Sequence, residues 1–308
     1  VFDLNPMQTY RLQARTGEDV RLLPPQLGRK VRVAVIDTGI DTTHPMIQNQ
    51  IYKNSKECSS ADKSIDNDGN QYPGDCTGWS ILGEPTLNNI IGTPEFKDEI
   101  GHGTHVAGII ASISKNIEIV PIQVIQQADH FNYQPLKPFS VSQFDLSPSE
   151  DIRGGFSSTD PSLADRIARA IIYAISIKAQ VINLSLGWPP GSDAEIMRAA
   201  IAEAQSQGVL IVAAAGNDST SALLRPCQYK GVICVASHNP DGSLSSFSNY
   251  GFGVDLAAPG SSIISTVPQE FRSGRVPGAF GIEILSGTSQ AAPYVSGVIA
   301  EMLSRGVS

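Results

Sequence analysis

The chain has 308 residues, 41% of them hydrophobic and 17% charged, with 28 glycines, 20 prolines and a formal net charge of −8. That is the composition of an ordinary globular protein, long enough for one large α/β domain or two small ones. It contains no basic run of the kind that marks a nucleic-acid binder and no apolar stretch of the roughly 18 residues that a membrane span needs.

Residues 1–30 are polar and irregular, closed by Pro24, Pro25 and Gly28. A strand follows at 31–36, Val-Arg-Val-Ala-Val-Ile, apolar on both faces as a central parallel strand is. It ends on Asp37-Thr38-Gly39. Strand C-terminal ends are where reactive groups collect in open α/β sheets, although an aspartate before a glycine is also an ordinary turn.

The stretch 52–99 is rich in Asp, Asn, Gly and Pro and reads as a long loop. Within it Asp62, Asp66, Asn67, Asp68, Gly69, Asn70 and Asp75 alternate like the start of an EF-type calcium loop. The closing bidentate glutamate is missing, so Asp66, Asp68, Asn70 and Asp75 form either a calcium loop or a solvated turn. Asp41 is a weaker calcium ligand or a structural residue. The four cysteines fall into two local pairs, Cys58 with Cys76 and Cys227 with Cys234. Such pairs fit disulfides and an oxidising compartment, or else four buried thiols. The chain has no CxxC spacing with which to build a complete zinc site.

Gly-His102-Gly-Thr-His105-Val-Ala-Gly opens a helical run of small residues. Two histidines three apart raise the question of a metal, but no acidic residue joins them at metalloprotease spacing, so His105 reads as a packed helix residue. Further apolar strands are expected at 119–124, 181–185, 209–214 and 232–236, and a second loop at 126–160. Helices are expected at 162–179, where Leu163, Ile167, Ala170, Ile171, Ala174 and Ile175 share one stripe, and at 193–207, ending at Gly208. Strands alternating with helices predict an α/β fold in three layers, a mostly parallel sheet flanked by helices.

Val-Ala-Ala-Ala-Gly216-Asn217 is another strand that ends on a turn. Leu-Ser-Gly-Thr-Ser289-Gln-Ala-Ala-Pro293 begins a helix. There the free backbone N–H groups and the helix dipole favour negative charge beside Ser289, although a lone serine in this position is more often just a cap.

The chain order Asp, His, Ser differs from the chymotrypsin and α/β-hydrolase orders, and Ser289 is not in a Gly-x-Ser-x-Gly elbow. The motifs Asp-Thr-Gly, His-Gly-Thr-His-Val-Ala-Gly and Gly-Thr-Ser-x-Ala-x-Pro, in this order, resemble those of the subtilisin-like serine proteases over residues 30–305. The resemblance implies a secreted serine endopeptidase domain over 31–308, with residues 1–30 as an N-terminal arm or residual pro-segment. Asp37, His102 and Ser289 would be the triad and Asn217 the side-chain donor to the oxyanion. Ser185-Leu186-Gly187 and Ala214-Ala215-Gly216 would wall the S1 pocket. Aligning Arg225-Pro226 with the family's aromatic-Pro pair puts Leu224 at the pocket floor, favouring small or medium P1 groups, and leaves Asp218 at the rim to attract a basic one.

Gln290 stands where many members carry methionine. Pro293 would leave the Ser289 carbonyl without its helical donor and kink the helix. The chemistry needs no cofactor, with calcium as a structural ion. Expected partners are protein or peptide substrates and an inhibitory propeptide, with the enzyme a monomer. A peptide ligase or macrocyclase, with loop 126–160 shielding the site from water, and a silent peptide-binding module are the competing functions.

Overall fold

A computed structural model describes residues 29–85, 91–126, 156–157, 161–189, 195–276 and 278–307. Most of the expected arm (1–30) and most of the expected loop (126–160) lie outside the described residues.

Strand β1 (Val31–Asp37) is central because its apolar residues serve two faces. Val31, Val33 and Val35 enter one hydrophobic cluster, and Ala34 and Ile36 enter the other. It pairs in parallel with β4 (Ile117–Gln123) on one side and β6 (Val181–Leu184) on the other. The sheet continues through β8 (Leu210–Ala214), β9 (Val232–His238) and β10 (Leu256–Pro259), all parallel.

At the opposite edge β2 (Trp79–Pro85) pairs with β4, and β3 (Ile91–Thr93) closes the sheet antiparallel to β2. These two strands, together with the single-turn α1 (Ser55–Cys58), lie in the stretch expected to be a loop. Their apolar signal, chiefly the buried Trp79 and Ile81, is short and set in polar sequence.

The helices α3 (Pro161–Ser176) and α4 (Glu195–Ser206) supply the apolar stripe for one face. The helices α2 (His102–Ile113) and α5 (Thr288–Ser304) pack on the other. The three-layer α/β architecture expected from the sequence is therefore the one observed. Two short pairs complete the fold. Strand β5 (Phe156–Ser157) lies parallel to β7 (Leu186–Gly187), and the hairpin of β11 (Ile263–Thr266) and β12 (Ile282–Leu285) leads into α5. Disulfides join Cys58 to Cys76 and Cys227 to Cys234. No described helix is long and apolar enough to cross a membrane.

Candidate active site

The C-terminal ends of the parallel strands converge on one rim of the sheet. β1 delivers Asp37 there, and the first residue of α2, His102, meets it: Nδ1 donates to Asp37 Oδ1 at 2.7 Å, with both side chains buried. The approach depends on Gly103, where a Cβ would collide with the Gly39 carbonyl. A side chain at that position would push the helix, and His102 with it, off the end of β1.

Ser289 enters from α5. In the sheet Val35 pairs with Asn183, so Asp37 and Ser185 lie at the ends of neighbouring strands. Ser289 Oγ donates to the Ser185 carbonyl at 2.8 Å, which sets the serine beside the strand end carrying Asp37. In return Ser185 Oγ donates to the Ser289 carbonyl at 2.8 Å. This is the carbonyl expected to lose its donor to Pro293, and α5 runs through Pro293 as continuous helix.

Asn217 follows β8 through Gly216, whose φ of +109° favours glycine. Its Oδ1 accepts from Thr288 N at 2.8 Å and Thr288 Oγ1 at 2.9 Å. With its oxygen held there, the amide nitrogen is turned away from Thr288 as the donating end. Asn249 holds the same turn, with Nδ2 donating to the Ala215 carbonyl at 3.1 Å and Oδ1 accepting from Asp218 N at 2.8 Å.

The two expected pocket walls are close together around Leu224. A Cβ on Gly187 would lie 3.2 Å from Leu224 Cδ1, and one on Gly216 would lie 3.1 Å from it. Leu224 therefore sits between the Ser185-Leu186-Gly187 and Ala214-Ala215-Gly216 segments. Asp218 is exposed.

Several supporting residues gave no signal in the sequence. Asn249 and Asp98 are polar residues outside the helices and strands, and only their long-range hydrogen bonds reveal a role. Asp98 is buried and accepts from Thr38, Ile100, Gly101 and Thr104. Burial raises its carboxyl to about 6, against the hydrogen bonds from Thr104, Gly101 and Thr38, which lower it. His105 is also buried, its Nε2 facing the carbonyls of Ile263 and Glu283 at 3.2 Å each. Burial and the neighbouring His102 hold its pKa down to about 3. Gln290 is buried too, and its amide makes no hydrogen bond among the described residues.

The acidic loop is arranged differently from a simple Asp66, Asp68, Asn70, Asp75 set. Asp66 and Asp68 gather with Glu57, with ligand atoms within 4.8 Å of one another. Asp75 is instead enclosed by Asn54, Asn70 and Tyr173, which donate to it at 2.7, 2.8 and 3.0 Å. Asn70 Nδ2 is spent on Asp75, and its Oδ1 accepts from Tyr72 N. Asp41 ties the turn after β1 to Gln269, accepting from its backbone N–H at 3.1 Å. Burial raises its carboxyl, but hydrogen bonds from Thr43 and Gln269 hold it below the usual value.

A family model described as the subtilase family (peptidase S8) matches residues 28–306. The chain is 32% identical over 278 residues to the major intracellular serine protease of Bacillus subtilis (strain 168), covering 89% of this chain and 68% of that protein. It is 31% identical over 282 residues to subtilisin NAT of Bacillus subtilis subsp. natto, covering 90% of this chain but 56% of that protein. Among solved structures, a cold-adapted subtilisin-like serine proteinase superposes with a TM-score of 0.58 at 26% identity, over 90% of this chain and 77% of the other. A lanthipeptide protease, at 22% identity and a TM-score of 0.65 over 91% of this chain and 74% of the other, shares the fold. The chain belongs to the subtilase family of serine proteases, a family of hydrolases.

Proposed function

We propose that the protein is a serine endopeptidase that hydrolyses peptide bonds through an acyl-enzyme on Ser289. The observation that carries this reading is the buried 2.7 Å bond from His102 Nδ1 to Asp37 Oδ1, formed beside the strand end that holds Ser289. A carboxylate accepting from Nδ1–H selects the tautomer whose basic nitrogen is Nε2.

In this mechanism the Ser289 hydroxyl turns from the Ser185 carbonyl to His102 as substrate binds, since catalytic hydrogen bonds tighten in the complex. His102 Nε2 takes the proton while Oγ bonds to the scissile carbonyl carbon. The carbonyl electron pair moves onto oxygen, where Asn217 Nδ2 and the Ser289 backbone N–H stabilise it. Collapse expels the amine, which takes the proton from His102, and a water repeats the sequence to release the acid. Asp37 stabilises the imidazolium in both halves. Leu224, between the two pocket walls, favours a small or medium apolar P1 residue.

Two disulfides favour an extracytoplasmic site of action, although one of the relatives is an intracellular protease. Glu57, Asp66 and Asp68 are an all-oxygen, like-charged set that fits a hard cation, and calcium there would offset their mutual repulsion. A propeptide acts as inhibitor and the enzyme works as a monomer.

A fluorophosphonate probe tests the proposal. It should label the wild type and leave folded Ser289→Ala unlabelled and unable to cleave a chromogenic peptide. Full activity in Ser289→Ala would end the reading. Product analysis with an added amine separates hydrolysis from ligation, and peptide binding without labelling would identify a silent module.

A further inference from the structure

Asp98 is 1% exposed and accepts five donors. Its Oδ1 takes Thr38 Oγ1 at 2.8 Å, Gly101 N at 2.7 Å and Ile100 N at 3.2 Å. Its Oδ2 takes Thr104 N at 2.9 Å and Thr104 Oγ1 at 2.6 Å. Thr38 follows Asp37 in the chain, and Gly101 and Thr104 flank His102. One carboxylate therefore grips the residue next to the acid and the turn of helix that carries the imidazole.

The grip on Thr38 continues in both directions. Thr38 Oγ1 accepts from Gly103 N at 2.9 Å, adjacent to His102. Thr38 N donates to Asp37 Oδ1 at 2.8 Å, the same oxygen that His102 uses. The Thr38 carbonyl accepts from Gln123 Nε2 at 3.0 Å. The Thr38 peptide is thus fixed at its nitrogen, its oxygen and its side chain, and Asp37 Oδ1 is fixed with it.

Capping the first turn of α2 would explain the bonds from Gly101 and Thr104 as a purely structural role. It does not explain the bond to Thr38, which follows β1 and lies 60 residues away in the chain. A buried, charge-assisted and fully partnered acceptor is rigid, and rigidity is what a link between two reacting groups requires.

We propose that Asp98 is a positioning residue, which holds Thr38 and the start of α2 together and so sets the Asp37–His102 geometry without touching substrate. The inference rests on the reading of Asp37 and His102 as triad members. Small displacements of reacting groups cost up to about 100-fold in rate, so losing the link lowers turnover rather than substrate binding.

The test uses the full chain and a peptide p-nitroanilide with an apolar P1 residue. Asp98→Asn and Thr38→Val cut opposite ends of the same link. Each should lower kcat about 10- to 100-fold with KM nearly unchanged, and the double variant should lose little more than the worse single one. Thr38→Ser, which keeps the hydroxyl, should retain turnover. The downfield proton resonance of His102 Nδ1–H should move in Asp98→Asn and Thr38→Val and stay in place in Thr38→Ser. Thermal unfolding establishes that each variant is folded. If Asp98→Asn does not fold, Thr38→Val and Thr38→Ser decide the matter alone. Folded variants with unchanged kcat and an unmoved resonance, or losses that simply add in the double variant, reduce Asp98 to a helix cap and overturn the inference. A wild type that neither labels with fluorophosphonate nor cleaves the peptide overturns the triad reading itself, a failure visible before any substitution is made.

Discussion

Ser185 and Ser289 hold each other at two points: each side-chain hydroxyl donates to the other's backbone carbonyl at 2.8 Å. The pairing answers a defect written into the helix. Pro293 has no N–H to offer the carbonyl four residues earlier, and Ser185 reaches over from the sheet to supply the donor. Asn183 Nδ2 supports the arrangement by donating to Ser185 Oγ at 2.9 Å.

Ser185→Ala should therefore cost stability although it removes a single oxygen. It leaves the buried Ser289 carbonyl without this donor and Asn183 without this acceptor, a loss of about 1–3 kcal/mol for a buried unsatisfied group. Urea unfolding should show a lower midpoint at unchanged slope. Turnover should also fall, because the backbone of Ser289, the proposed nucleophile, is no longer pinned.

Leu224 lies between Gly187 and Gly216, where the proposed function puts the floor of the P1 pocket. Leu224→Gly should deepen it and move preference from small or medium aliphatic P1 residues towards phenylalanine. Pocket changes of this size are worth about 10- to 200-fold in relative kcat/KM. Paired kinetics on P1-Phe and P1-Ala p-nitroanilides read the ratio. A wild type that already favours large aromatics would refute the assignment of Leu224 to the floor.

His105 makes stability depend on pH. Its folded value of about 3 lies below the ordinary 6.5. Between these values the unfolded chain binds a proton that the folded protein refuses. The contribution is complete above pH 6.5 and is lost as pH falls towards 3, at up to about 1.4 kcal/mol per pH unit. His105→Gln should flatten the acid side of a plot of Tm against pH over this window. An unchanged slope would show that His105 does not drive the loss.

Gln290, next to the proposed nucleophile Ser289, is an amide where the family resemblance implies an oxidisable methionine in many members. Peroxide should leave most activity intact, because the described methionines, Met46, Met197 and Met302, all lie outside the site segments. Gln290→Met should introduce peroxide sensitivity, read as residual activity after treatment. It should also leave stability unchanged or raise it, since the buried amide makes no hydrogen bond among the described residues.

The amino-acid sequence by itself determined the parallel α/β sheet and the positions of Asp37, His102, Asn217 and Ser289 on strand ends and helix starts. Those signals are local: an apolar run of five to seven residues, a glycine at a turn, a helix of small side chains. Only the tertiary structure decided which polar residues support them. Asp98 reaches Thr38 across 60 residues and Ser185 reaches Ser289 across 104. Glu57 joins Asp66 and Asp68 where the spacing had pointed to Asn70 and Asp75. An aspartate or serine in a polar turn looks the same whether it faces water or a buried donor. The difference lies in hydrogen bonds between distant segments, and those exist only once the sheet has brought the segments together.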